Sequence, residues 1–91
     1  MKINEVADKF GIKLPDVGDL DIFMERINRE LQVRPRNALH IKSRTQYLVT
    51  KVVLNCTNAN DGEFMIMYYN QNHAIPFVRE SSEFFEKFRL C

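Results

Sequence analysis

The 91-residue sequence predicts an α+β fold: two N-terminal helices packed on a small, strongly curved antiparallel sheet, with a short C-terminal helix closing it. Three observations predict it. Apolar residues recur at helical spacing up to residue 33 and at strand spacing after residue 37. Residues 46–56 and 63–69 are dense in Val, Leu, Ile, Met and Tyr and flank Asn58-Ala59-Asn60-Asp61-Gly62, whose residues tolerate positive φ, so together they read as a hairpin. Both of those strands are apolar on two faces, and such a sheet needs cover on two sides.

The elements follow in order. Ile3, Val6, Ala7 and Phe10 make one face of a helix over about residues 4–10, with Gly11 suited to its C′ position and Ile12 to the accompanying apolar contact. Pro15 forbids continuation, and residues 16–18 read as a turn. Asp19 can cap a second helix with Asp21 in its first turn, where Leu20, Phe23, Met24, Ile27 and Leu31 form the buried stripe. Arg34-Pro35-Arg36 ends it. Leu39 and Ile41 then alternate with His40 and Lys42, and residues 43–45 turn into the long strand. Strict alternation puts Leu48, Val52 and Leu54 on one face of that strand and Tyr47, Val49, Lys51 and Val53 on the other. In the next strand Phe64, Ile66 and Tyr68 oppose Met65, Met67 and Tyr69. Residues 70–73 form a turn, and 74–79 form a strand that Pro76 confines to an edge or a strand start. Ser81 or Ser82 can cap a closing helix that returns Phe84, Phe85 and Phe88 to the core. This is the order of an SH3-like barrel under a helical cover: one domain over residues 1–91, with cover 1–33, sheet 37–79 and closing helix 81–90. Curling fills one face of the sheet, and the N-terminal helices are expected to blanket the other.

Composition narrows the function. Apolar content of 45% and charged content of 27% are ordinary for a folded domain, and no apolar run approaches the roughly 20 residues of a membrane span. The N-terminus alternates charges where a signal peptide would be apolar, so a cytoplasmic protein with reduced Cys56 and Cys91 is expected. The sequon Asn55-Cys56-Thr57 matters only after secretion. Net charge is +1, but residues 34–54 hold five basic side chains and no acidic one. That segment is the polarised part of the chain.

Residues 39–88 resemble a small bacterial and phage domain of unknown function. Its pattern is matched here by His40 and Lys42, Tyr47 and Val49, Gly62-Glu63 with Tyr68, Phe77-Val78-Arg79, and Phe84 or Phe85. Ser43-Arg44 stands where the pattern has a basic-Gly pair, and Glu80 where it has Pro. The resemblance implies an SH3-like barrel and no particular activity. In general style the chain looks like the accessory proteins of tailed phages, which inhibit host enzymes or defence systems. Residues 6–12 also have the Ala-x-x-x-Gly spacing of a helix-turn-helix, although Pro15 and Gly18 would fall inside its second helix.

Two surfaces are candidates for function. Arg34, Arg36, His40, Lys42, Arg44 and Lys51, with Tyr47 and Tyr69 as stacking faces, suit nucleic acid, RNA or single strands ahead of duplex DNA. A solvated strand edge defended by Lys and Arg would look the same. Met65, Met67, Phe84 and Phe85 suit a protein interface, either a homodimer or a target enzyme, unless they are ordinary core. His40, His73, Cys56 and Cys91 match no zinc or nucleophile template, and the three glycines form no phosphate loop. The expectation is a non-enzymatic, cofactor-free nucleic-acid-binding regulator, for instance an inhibitor of a ribonuclease toxin. The alternative is a protein-interaction module.

Overall fold

The computed structural model describes residues 1–56 and 62–91. Its elements are α1 (Ile3–Lys9), α2 (Leu20–Val33), β1 (Arg36–His40), β2 (Gln46–Asn55), β3 (Glu63–Tyr69), β4 (Pro76–Glu80), α3 (Ser81–Lys87) and β5 (Phe88–Leu90). The strands form one antiparallel sheet in the order β4-β3-β2-β1-β5. The chain is therefore α+β, with a curled sheet; among the described residues no ladder joins β4 to β5.

Local signals act where the sequence places them. Gly11, at φ +68°, ends α1 with the amide of Ile12 on the Ala7 carbonyl at 2.9 Å and its own amide on Asp8 at 3.1 Å, and Ile12 is buried against the core. Asp19 caps α2, its Oδ1 accepting from the Ile22 amide at 3.0 Å. Residues 12–19 carry no helix, so the second helix of a helix-turn-helix does not form there. Of the hairpin turn expected at 58–62, only Gly62 lies among the described residues; its φ is +87° and its amide donates to the Asn55 carbonyl at 2.9 Å.

Three expectations are corrected. First, the alternation along β2 breaks: the register with β3 slips between Val49 and Lys51, leaving Thr50 as an extra residue. Val49 and Val52 therefore face the same side, and both are fully buried, whereas parity alone separated them. Second, the closing segment is not all helix. Residues 88–90 form β5 on the far side of β1, with Ala38 opposite Leu90 and His40 opposite Phe88. The cap of α3 is Glu80, not a serine: its carboxylate accepts from the amides of Ser82 at 2.8 Å and Glu83 at 3.0 Å. Third, the helices do not blanket the second face. Val6, Ala7 and Phe10 of α1 and its exit, with Ile27 and Leu31 of α2, share one core with Ala38, Val49, Val52, Phe64, Ile66, Tyr68, Phe84 and Phe88. Helices and inner sheet face thus bury each other. The opposite face carries Leu48, Val53, Met65, Met67, Tyr69 and Val78, none of which packs into that core.

One contact explains how α2 reaches the sheet. Pairing between β1 and β2 stops at Arg36 opposite Val49, because the next amide that strand alternation would turn toward β2, that of Arg34, donates instead to the Glu30 carbonyl of α2 at 2.9 Å. Beyond that point the edge of β2 would be bare. Asn28 on α2 occupies it: its Nδ2 donates to the Val52 carbonyl at 3.0 Å and its Oδ1 accepts from the Val52 amide at 2.8 Å. A side-chain amide thereby replaces one rung of the missing strand.

Burial pushes the Glu80 carboxyl up. Its bonds from the Ser82 and Glu83 amides and the Ser81 hydroxyl, with the N-terminal ammonium, outweigh that and hold it below its ordinary 4.5. A depressed carboxyl stabilises the fold above its unfolded pKa, and that contribution is lost as pH falls through the folded value. Acid unfolding followed by circular dichroism should show wild type losing stability below about pH 4.5, and Glu80→Gln losing less over the same window.

Candidate nucleic-acid interface

The eight side chains expected to meet nucleic acid separate into three groups. Arg34 and Arg36 sit at the junction of α2 and β1, where both are already engaged. Arg36 donates from Nε to the Phe10 carbonyl at 3.1 Å and from a terminal nitrogen to the Arg34 carbonyl, tying the end of α1 to the start of the sheet. Arg34 pairs with Glu30 at 3.6 Å. Lys51 and Tyr69 lie on the outer face: Tyr69 stands opposite Leu48 and Lys51 opposite Met67. Only His40, Lys42, Arg44 and Tyr47 gather around the β1–β2 turn.

That turn is built by short bonds. Arg44 donates its amide to the His40 carbonyl at 2.8 Å, and His40 donates its own to Thr45 at 2.9 Å. The Nδ1 of His40 accepts from the Ser43 amide at 3.2 Å and lies 2.7 Å from the Ser43 hydroxyl, which fixes the imidazole over the turn. Arg44 adopts φ +58°, the left-handed region where glycine is unstrained. It occupies the position at which the resembled pattern has glycine.

The fold adds residues that sequence reasoning left out. A cleft of about 340 Å³ is lined by His40, Ile41, Lys42, Arg79, Glu86 and Lys87. Beside it the Phe88 ring is surrounded by His40 at 4.9 Å, Tyr47 at 5.6 Å, Tyr68 at 4.9 Å and the Arg79 guanidinium at 5.6 Å. Phe77, 44% exposed, stands 6.4 Å from Tyr47, so two partly open rings border the cluster. Arg79 is held by the Tyr68 hydroxyl at 3.2 Å and by Glu83 at 2.7 Å, and the same carboxylate lies 3.8 Å from Lys87. Lys42 and Arg44 have no ion-pair partner among the described residues. Arg79 and Lys87 were missed because they lie far along the chain from the basic segment, and only the pairing of β1 with β5 brings α3 beside it. The sole local signal was Phe77-Val78-Arg79, an edge strand with aromatic and cation on one side.

The four residues expected at a protein interface also divide. Phe84 is fully buried and stacks on Phe88 at 4.4 Å, so it is core. Phe85 is half-buried, edge-on to Phe10 at 5.3 Å and beneath Lys9. Met65 and Met67 remain on the outer face, half-buried. Cys56 and Cys91 are exposed and unpaired, and among the described residues no group of three His, Cys, Asp or Glu stands close enough to hold a metal ion. No helix among the described residues is long and apolar enough to cross a membrane. Comparison of the chain with protein-family models, with curated proteins and with solved structures returns no match.

Proposed function

We propose that the protein is a non-enzymatic module that binds single-stranded nucleic acid, RNA by preference, at the cleft between the β1–β2 turn and α3. The observation that carries this reading is the convergence of His40, Lys42, Arg79 and Lys87 from three separate elements around an aromatic cluster with Tyr47 and Phe77 at its border, with Arg44 on the same turn as Lys42. Cations meet phosphates, and rings of every sequence context can stack unpaired bases. Arg44 supports it from the backbone. A non-glycine residue in the left-handed region costs about 1 kcal/mol or more, a cost that a side chain with a surface task would explain. Acting in the cytoplasm, such a module would regulate or inhibit a nucleic-acid-handling enzyme, a ribonuclease toxin being the type of target considered above.

Fluorescence anisotropy with short single-stranded RNA, single-stranded DNA and duplex DNA tests this over a salt series. With Glu83 occupying Arg79 and near Lys87, two to three phosphates are neutralised, and the slope of log affinity against log salt on single strands should be about −2. Arg44→Gly should leave the fold as stable or more stable, by up to about 1 kcal/mol, while weakening binding. A binding-neutral Arg44→Gly, or no retention of RNA or DNA at low salt, sinks the reading.

A second reading is favoured by a different observation, the uncovered outer face with Met65, Met67, Tyr69 and the 53%-exposed Val78. A module using that face would associate with a second copy of itself or block a target enzyme. Met67→Lys then abolishes association while leaving nucleic-acid affinity untouched, whereas Lys42→Glu with Lys87→Glu does the reverse. Sedimentation velocity of both variants separates the two.

A further inference from the structure

We propose that the groove between α2 and the bulge of β2 is a separate binding site for a small molecule that carries a carboxylate on an apolar stem. The groove, about 580 Å³, has Pro35 and Met67 as apolar walls and Thr50, Glu25, Arg29 and Lys51 as polar ones. Its volume lies within the range of small-molecule sites, roughly 300–1,000 Å³. Its existence follows from chain geometry. β1 begins only at Arg36, and α2 resumes the edge of β2 at Val52 through Asn28, so a gap is left between those two rungs, opposite Thr50. The bulge falls in that gap, and bulges re-aim neighbouring side chains at sites of this kind.

The charges select the ligand. Both polar atoms of Asn28 are consumed by Val52, and Arg29 is bound to Glu25 at 2.5 Å. Lys51 has no ion-pair partner among the described residues, which leaves one uncommitted cation beside an apolar wall. A single anionic head satisfies it, and a short hydrocarbon body suits Pro35 and Met67. A polyanionic strand would instead meet the Glu25 carboxylate in the same groove, so this site is independent of the nucleic-acid cleft.

Titration of ¹⁵N-labelled protein with octanoate, octanol and octylammonium, read by amide chemical shifts, tests the assignment. Octanoate should shift residues 28–32 and 50–52 saturably, and octanol and octylammonium should bind about tenfold more weakly or worse. Lys51→Gln should reduce octanoate affinity by about tenfold, and Lys51→Arg should restore most of it. The side chain is exposed, so neither variant threatens the fold, and unchanged amide shifts elsewhere verify that. Octanol binding as tightly as octanoate, shifts centred on residues 40–42, absence of a saturable shift, or an unchanged affinity in Lys51→Gln each overturns it.

Discussion

Phe84→Ala is expected to remove a large share of the stability of the fold. Phe84 is fully buried, lies parallel to Phe88 with centroids 4.4 Å apart, and touches Tyr68 and Phe85 at 5.4 Å and 5.2 Å. Its truncation removes apolar contact from three partners and leaves a void that the surrounding strands can close only in part, for about 3–5 kcal/mol. A domain of this length commonly has about 5–14 kcal/mol in total. The melting temperature should therefore fall by roughly 15–30 °C. Because the same ring carries Phe88 and hence β5, the closing strand should lose hydrogen-exchange protection first. Phe85→Ala is the comparison: half-buried and resting on Phe10, it should cost no more than about half as much. Equal destabilisation by the two substitutions would show that α3 does not key into the core as described.

Asn28→Ala is expected to destabilise the fold by about 2–3 kcal/mol, far more than an ordinary exposed-to-half-buried polar substitution on a helix. The reason is the pair of groups left behind. The Val52 amide and carbonyl both lose their partner on an edge that β1 does not reach. Asn28→Asp separates donor from acceptor. At neutral pH the carboxylate still accepts from the Val52 amide but faces the Val52 carbonyl without a proton to give. Protonation restores a donor, so the folded state of this variant favours the protonated carboxyl. Its stability relative to wild type should then be greatest below the unfolded pKa and decline as pH rises. Urea unfolding of both proteins at pH 4 and pH 7 measures it; a deficit that does not grow with pH would mean that Asn28 does not hold the β2 edge.

Much of the architecture was legible in the chain. The cap at Gly11 and Ile12, the Asp19 cap, the ends of β3 and the edge position of Pro76 depend on the conformational preferences of a few consecutive residues, and those preferences survive folding. So do the helical stripe ending in Ile27 and Leu31 and the shift to strand spacing near residue 37. The basic character of residues 34–54 was equally plain, but its use was not. Arg36 has the same charge as Lys42 in sequence, yet one guanidinium is spent on the Phe10 and Arg34 carbonyls while the other cation stands open beside the cleft.

What the sequence by itself determined was which segments before residue 88 are helices and strands, because those choices are made by neighbours within about four residues. Tertiary structure alone decided which way the side chains of β2 face after Thr50, that the last residues pair with β1, and that Asn28 serves as a surrogate rung. Each of these depends on a partner distant in the chain. A bulge exists only relative to the strand it faces, and an edge needs an amide from α2 only once β1 has ended. The same reasoning holds for the candidate site, whose cations come from residues 40–44 and 79–87 and become neighbours only through the β1–β5 pairing.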